Sequence, residues 1–101
     1  MRNRNATASE IMKAVAGNVR AMRLARNISQ KDFALRVGIA LPTYRRFETT
    51  GEISFRKLVE IAKFFDLAGD IKNLFTKREY SSIEEVLSSE KSKRKRASKN
   101  G

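Results

Sequence analysis

Along the first three quarters of the chain, apolar residues return every three or four positions between short polar or glycine-bearing breaks, the period of helices that bury one stripe. The first stripe, Ile11, Val15, Val19 and Met22, predicts a helix over 9–26 with Ser9 as its N-cap and Asn27-Ile28 as its exit. Phe33, Ala34 and Val37 share a face in a second, shorter helix capped by Ser29, and Tyr44 and Phe47 form the stripe of a third over 41–49. Residues 49–53 read as a loop. Ser54 then caps a fourth helix over 55–65 with Leu58, Ile61, Ala62 and Phe65 inward. A short fifth helix is expected over 70–75 on Ile71, Leu74 and Phe75, and Ser82-Ile83-Glu84-Glu85 fits a capping box that opens one or two further turns ending near Ser89. There is no internal repeat and no alternating period, so the pattern predicts an all-α bundle of about five helices.

The densest information lies in Ser29 to Glu48, SQKDFALRVGIALPTYRRFE, two short helices joined at Gly38. Ser29 is a good N-cap, and Asp32 stands in the first turn, where the helix dipole favours an anion. Glycine at 38 suits a chain that leaves a helix through the left-handed region, and Pro42 is tolerated in the first turn of the next helix. At 3.6 residues per turn, the face opposite Tyr44 and Phe47 carries Pro42, Arg45, Arg46 and Thr49. Two outward arginines fit the solvated face of any core helix. Taken alone they favour that reading; they also fit a helix that enters the major groove, where Arg pairs bidentately with guanine O6 and N7.

The run Ile28, Ser29, Gln30, Asp32, Phe33, Ala34, Gly38 and Glu48 resembles the lambda-repressor-like (XRE) helix-turn-helix family. Arg23 resembles an arginine late in that family's first helix, and Leu58, Ile61, Ala62 and Phe65 its fourth-helix core, so the likeness covers roughly residues 14–67. Two positions depart from the family: Ala40 stands where Ser or Thr caps the reading helix, and Leu41 and Pro42 where relatives carry polar base readers. The resemblance implies a compact bundle that binds duplex DNA and regulates transcription, here as a repressor. Its base-reading positions fall on Leu41, Pro42, Thr43, Arg45 and Arg46. Arg46 and Arg45 lead, Thr43 is secondary, and Leu41 is able only to touch a thymine methyl. Phosphate contacts are implied for Gln30, Lys31, Thr49, Thr50 and Arg56, and a structural ion pair for Arg23 with Glu48. Read without the resemblance, Gln30 is a second helix cap, and the threonines and Arg56 are ordinary polar surface.

Composition narrows the chemistry. At 101 residues the chain is one domain at most, with a core too small to enclose a large substrate cavity. It has no cysteine and no histidine, which removes disulfides, thiolates and the commonest general base and metal ligand. Glu84 and Glu85 are adjacent carboxylates, but neighbours on a helix point about 100° apart and make no acid/base dyad. An enzyme, a cofactor and a metal site are therefore not expected. No apolar run approaches the ~20 residues of a membrane span, and the N-terminus lacks an apolar signal region, so a cytoplasmic, nucleoid-associated protein is expected.

The formal net charge of +11 is concentrated at the ends: Arg2 and Arg4 carry two of these charges, and Lys91, Lys93, Arg94, Lys95, Arg96 and Lys99 six. Such tails are expected to be flexible and to attract phosphates without sequence information, although a solubilising end has the same composition. The predicted organisation is a basic arm over 1–8, the helix-turn-helix domain over 9–78, a short helix or partner-binding segment over 79–90, and a disordered basic tail over 91–101. A homodimer is expected, because one reading helix covers few bases; Phe64, Ile71, Leu74 and Phe75 are the candidates for it, some of them needed to complete the core, with at least Leu74 or Phe75 reaching the partner. A second reading is an antitoxin. The phrase from Arg46 to Ser54 resembles regulators linked to kinase-type toxins, and Tyr80 to Leu87 is a segment a toxin protein would bind. A single-stranded RNA binder would need exposed aromatics for stacking, and the phenylalanines sit mostly at core spacing.

Overall fold

A computed structural model of the chain describes residues 5–77. They form five helices, α1 Ala8–Ala25, α2 Gln30–Val37, α3 Leu41–Thr50, α4 Phe55–Phe64 and α5 Ala68–Lys72, with no strand among the described residues. None of these helices is long and apolar enough to cross a membrane. The segment over 82–89, the tail over 91–101, and Arg2 and Arg4 of the N-terminal arm lie outside the described residues, whereas Thr7 and Ala8 of the predicted arm belong to the start of α1.

Each helix end has a local cause. α1 begins one residue before the predicted start and is capped by Thr7, not Ser9: the Thr7 hydroxyl accepts from the Glu10 amide at 3.1 Å, and the Glu10 carboxylate accepts from the Thr7 amide at 3.0 Å. This reciprocal box needs an acceptor three residues on, which Glu10 supplies for Thr7 and Met12 cannot supply for Ser9. α2 is capped by Ser29, whose hydroxyl accepts from the Asp32 amide, and it ends at Gly38 in the left-handed conformation (φ 72°, ψ 34°). α3 has Ala40 at its N-cap position, which gives no side-chain cap, and Pro42 in its first turn. Ser54 caps α4 through the Lys57 amide.

The core lies between α1, α2, α3 and α4, with α3 packed on α1 and α2, and α4 packed on α2. Phe33 is its hub: its ring is tilted against Tyr44 at 5.1 Å, edge-on to Phe64 at 5.1 Å and stacked on Phe65 at 5.4 Å. Tyr44, Phe33, Phe47 and Ile61 are the largest fully buried side chains. Phe64, one of the residues available for a dimer, is thus drawn onto the core.

Three expectations about the elements are corrected. The buried stripe of α1 is Ala16, Val19 and Arg23, with Met22 partly buried beside it, whereas Ile11 and Val15 are exposed, so the face of α1 turned to the core is rotated from the predicted one. Thr49 and Thr50 belong to the last turn of α3 and not to a loop; their hydroxyls donate back to the carbonyls of Arg45 and Arg46. α5 is earlier and shorter than expected, which leaves Leu74 half-exposed and Phe75 fully exposed with a left-handed φ of 63°.

Gly51 closes α3 with φ 83° and faces the backbone of α1. A Cβ built there would stand 2.6 Å from the Met12 carbonyl carbon and 2.8 Å from the Lys13 nitrogen. Glycine is required twice over, by conformation and by space. The start of α1 and the end of α3 therefore approach each other backbone to backbone.

Candidate nucleic-acid interface

α3 is anchored on one side and polar on the other. Tyr44 and Phe47 are buried, while Pro42, Arg45, Arg46 and Thr49 are exposed and Thr43 half-buried. Leu41 is half-buried and packs against the core, so less of it faces outward than the sequence suggests. Lys31 in the first turn of α2 and Arg56 in the first turn of α4 are both exposed.

The anchor is Glu48. Its side chain is only 4% exposed and accepts two hydrogen bonds from Arg23, at 2.7 Å from Nε and 3.0 Å from Nη2. Gln30 Nε2 donates to the same carboxylate at 2.9 Å, and the Tyr44 hydroxyl donates to Oε2. The remaining arm of Arg23 donates to the Ile28 carbonyl at 2.7 Å, so a single guanidinium ties α1, the α1–α2 connection and α3 together. Among the described residues no buried side-chain polar atom is left without a partner.

The electrostatics follow from this packing. Burial by itself pushes the Glu48 carboxyl up, but the hydrogen bonds from Arg23, Tyr44 and Gln30 outweigh it and hold it below the usual carboxylate range. Burial, reinforced by the Glu48 carboxylate, raises the Tyr44 hydroxyl, which stays neutral and donates. The bond to Glu48 raises Arg23 further against an opposing desolvation effect.

Gln30 links this anchor to the surface. Its amide nitrogen is engaged by Glu48, and its oxygen accepts from Arg45 Nε at 3.3 Å. The amide implied to meet a phosphate is therefore turned between a buried carboxylate and an outward arginine. The first N–H groups of α2 have no partner within the helix, and Ser29 holds that of Asp32.

Arg46 has its own partner, Glu52, at 2.5 Å from Nη2. Glu52 drew no attention in the sequence because it sits in a loop six residues away and its meeting with Arg46 depends on the turn at Gly51. Arg46, Glu52, Pro42, Thr43 and Lys57 line an open surface cleft of about 420 Å³ between α3 and the start of α4. Arg20 was missed as well: one turn before Arg23 on α1, it is exposed and 3.9 Å from Glu48. Three-residue spacing from Arg23 was the signal that could have found it. No cluster of three or more His, Cys, Asp or Glu that could hold a metal ion occurs among the described residues.

Two short helices joined at a left-handed glycine, the second presenting arginines outward and pinned inward by a carboxylate, define a helix-turn-helix. The chain belongs to the lambda-repressor-like, XRE-type family: the family model described as helix-turn-helix matches residues 19–71. It is thereby a DNA-binding domain of the kind found in transcriptional regulators, a family of binding proteins and not of enzymes. No curated protein and no solved structure matches the chain.

Proposed function

We propose that this protein is a sequence-specific regulator that lays α3 in the major groove of duplex DNA, binds as a homodimer and represses by occlusion. The observation that carries the reading is the division of α3: Tyr44, Phe47 and Glu48 are fixed inward while Arg45 and Arg46 stand outward beside Thr43. Arg46 and Arg45 read base edges, with Thr43, Pro42 and the outward part of Leu41 completing the contact surface. Lys31 and Arg56 flank α3 at two helix starts and hold phosphates, together with the Thr49-Thr50 turn and the α2 N-terminus around Gln30.

The dimer uses Leu74 and Phe75. Phe75 is 100% exposed in a left-handed conformation, an arrangement that is costly for an aromatic residue and that contact with a second copy offsets. The basic residues at both ends add sequence-independent attraction to the phosphate backbone, and the protein works in the cytoplasm on the nucleoid. Selection of bound duplexes from a random pool at about physiological salt tests the reading. The expected result is an enriched inverted repeat with half-sites about one helical turn apart. Enrichment of no sequence, or a preference for single-stranded RNA at equal salt, would overturn it.

A further inference from the structure

Three contacts at the end of α3 form a closed circuit. The Thr50 hydroxyl donates to the Arg46 carbonyl at 2.8 Å, the Glu52 amide donates to the Thr50 oxygen at 3.0 Å, and the Glu52 carboxylate receives the Arg46 guanidinium. The turn at Gly51 makes this possible, because its left-handed backbone returns the chain beneath the helix end it has just left. Arg46 and Glu52 are 66% and 53% exposed, and an ion pair so open to water adds little to stability. What the circuit does is geometric: it ties the Arg46 guanidinium to the turn that follows its own helix.

We propose that Glu52 is a positioning residue for base reading, which holds the Arg46 guanidinium in one orientation and keeps it from settling on phosphates. This rests on the DNA-binding reading above. The guanidinium has five N–H donors in a rigid fork, and Glu52 engages Nη2 alone. Enough donors remain for a bidentate contact with guanine O6 and N7. An arginine already held in place loses less side-chain freedom on reaching a base. The carboxylate also acts on the wrong complexes. It lies beside a cation that a random duplex would draw onto its backbone, and its own charge repels the phosphates that would replace it. Thr50 shares the work by fixing the backbone of Glu52, and Lys57 across the same cleft supplies a separate cation that Glu52 does not engage.

The test compares wild type, Glu52→Gln, Arg46→Ala and the double variant on the selected duplex and on a random duplex of equal length, over a range of salt. Glu52→Gln should bind random duplex more tightly, with a steeper salt dependence, and its preference for the selected duplex should fall by roughly tenfold. In the Arg46→Ala background the same substitution should leave the preference unchanged, since the residue it positions is gone. Glu52→Ala should behave as Glu52→Gln does, and melting curves should show all four chains folded, because both side chains are on the surface. A preference retained in Glu52→Gln, or lost equally with and without Arg46, would overturn the proposal while leaving the DNA reading intact. A wild-type chain with no preference at all would overturn both.

Discussion

Arg23 and Glu48 are 25 positions apart in sequence and meet in a two-bonded ion pair whose side chains are 6% and 4% exposed. The pair joins the first helix to the end of the reading helix, and through Gln30 it reaches Arg45 on the surface. Removing one partner leaves the other charge buried without its main counter-charge. Arg23→Ala and Glu48→Ala should each cost about 3–5 kcal/mol, read as a shift in denaturant midpoint at unchanged slope. Arg23→Ala combined with Glu48→Ala should cost clearly less than the two single losses added together. Strict additivity would mean that the pair is not coupled in the folded state.

The same carboxylate gives stability a pH dependence. Because Glu48 is held below the usual range when folded, its contribution is complete above the unfolded value of about 4.3 and is lost as pH falls through the folded value. Wild type should therefore lose more stability than Glu48→Gln between pH 5 and pH 3 in matched urea titrations. Tyr44 runs the other way. Its raised value means stability present below the unfolded pKa of about 10 and lost as pH rises beyond it, a loss that Tyr44→Phe should not show.

Two glycines with nearly the same backbone angle separate strain from space. Gly38 (φ 72°) has nothing within 4 Å of a built Cβ, so Gly38→Ala bears only the left-handed conformation, about 1–2 kcal/mol. Gly51 (φ 83°) would also drive its Cβ into the Met12 and Lys13 backbone, so Gly51→Ala should add an overpacking cost of roughly 1–3 kcal/mol or push α1 off α3. Equal thermal shifts for the two substitutions would contradict the close approach of the helices.

Much of this fold is legible in the residues because its signals are local. The Ser29 and Ser54 caps, the Gly38 exit and the Tyr44/Phe47 stripe each depend on neighbours within about a turn, and each stands where the pattern predicts. Where two capping residues competed, as with Thr7 and Ser9, the deciding feature was Glu10 three positions on. The threonines closing α3 look like loop residues by type, yet their hydroxyls satisfy carbonyls one turn back and extend the helix. The site was less legible than the fold. Gln30 between Glu48 and Arg45, and Glu52 beneath Arg46, are meetings of separate segments that no local pattern announces.

The charged ends and the reading helix should separate cleanly in binding. Deleting residues 91–101 removes six cations, so affinity for every duplex should fall alike and its salt dependence should flatten. Binding isotherms on the selected and random duplexes across salt measure this directly; a loss confined to the selected duplex would give the tail a part in sequence reading.

The most direct measurement is the affinity of wild type and Arg46→Ala for a set of duplexes in which each base pair of the selected site is changed in turn. An α3 that reads bases predicts that Arg46→Ala costs about 1–3 kcal/mol on the selected site and becomes indifferent to one base pair while still discriminating at the others. A uniform loss across all sequences, with the wild-type pattern of preferences unchanged, would place Arg46 on the phosphate backbone and contradict the assignment of α3 as the base-reading helix.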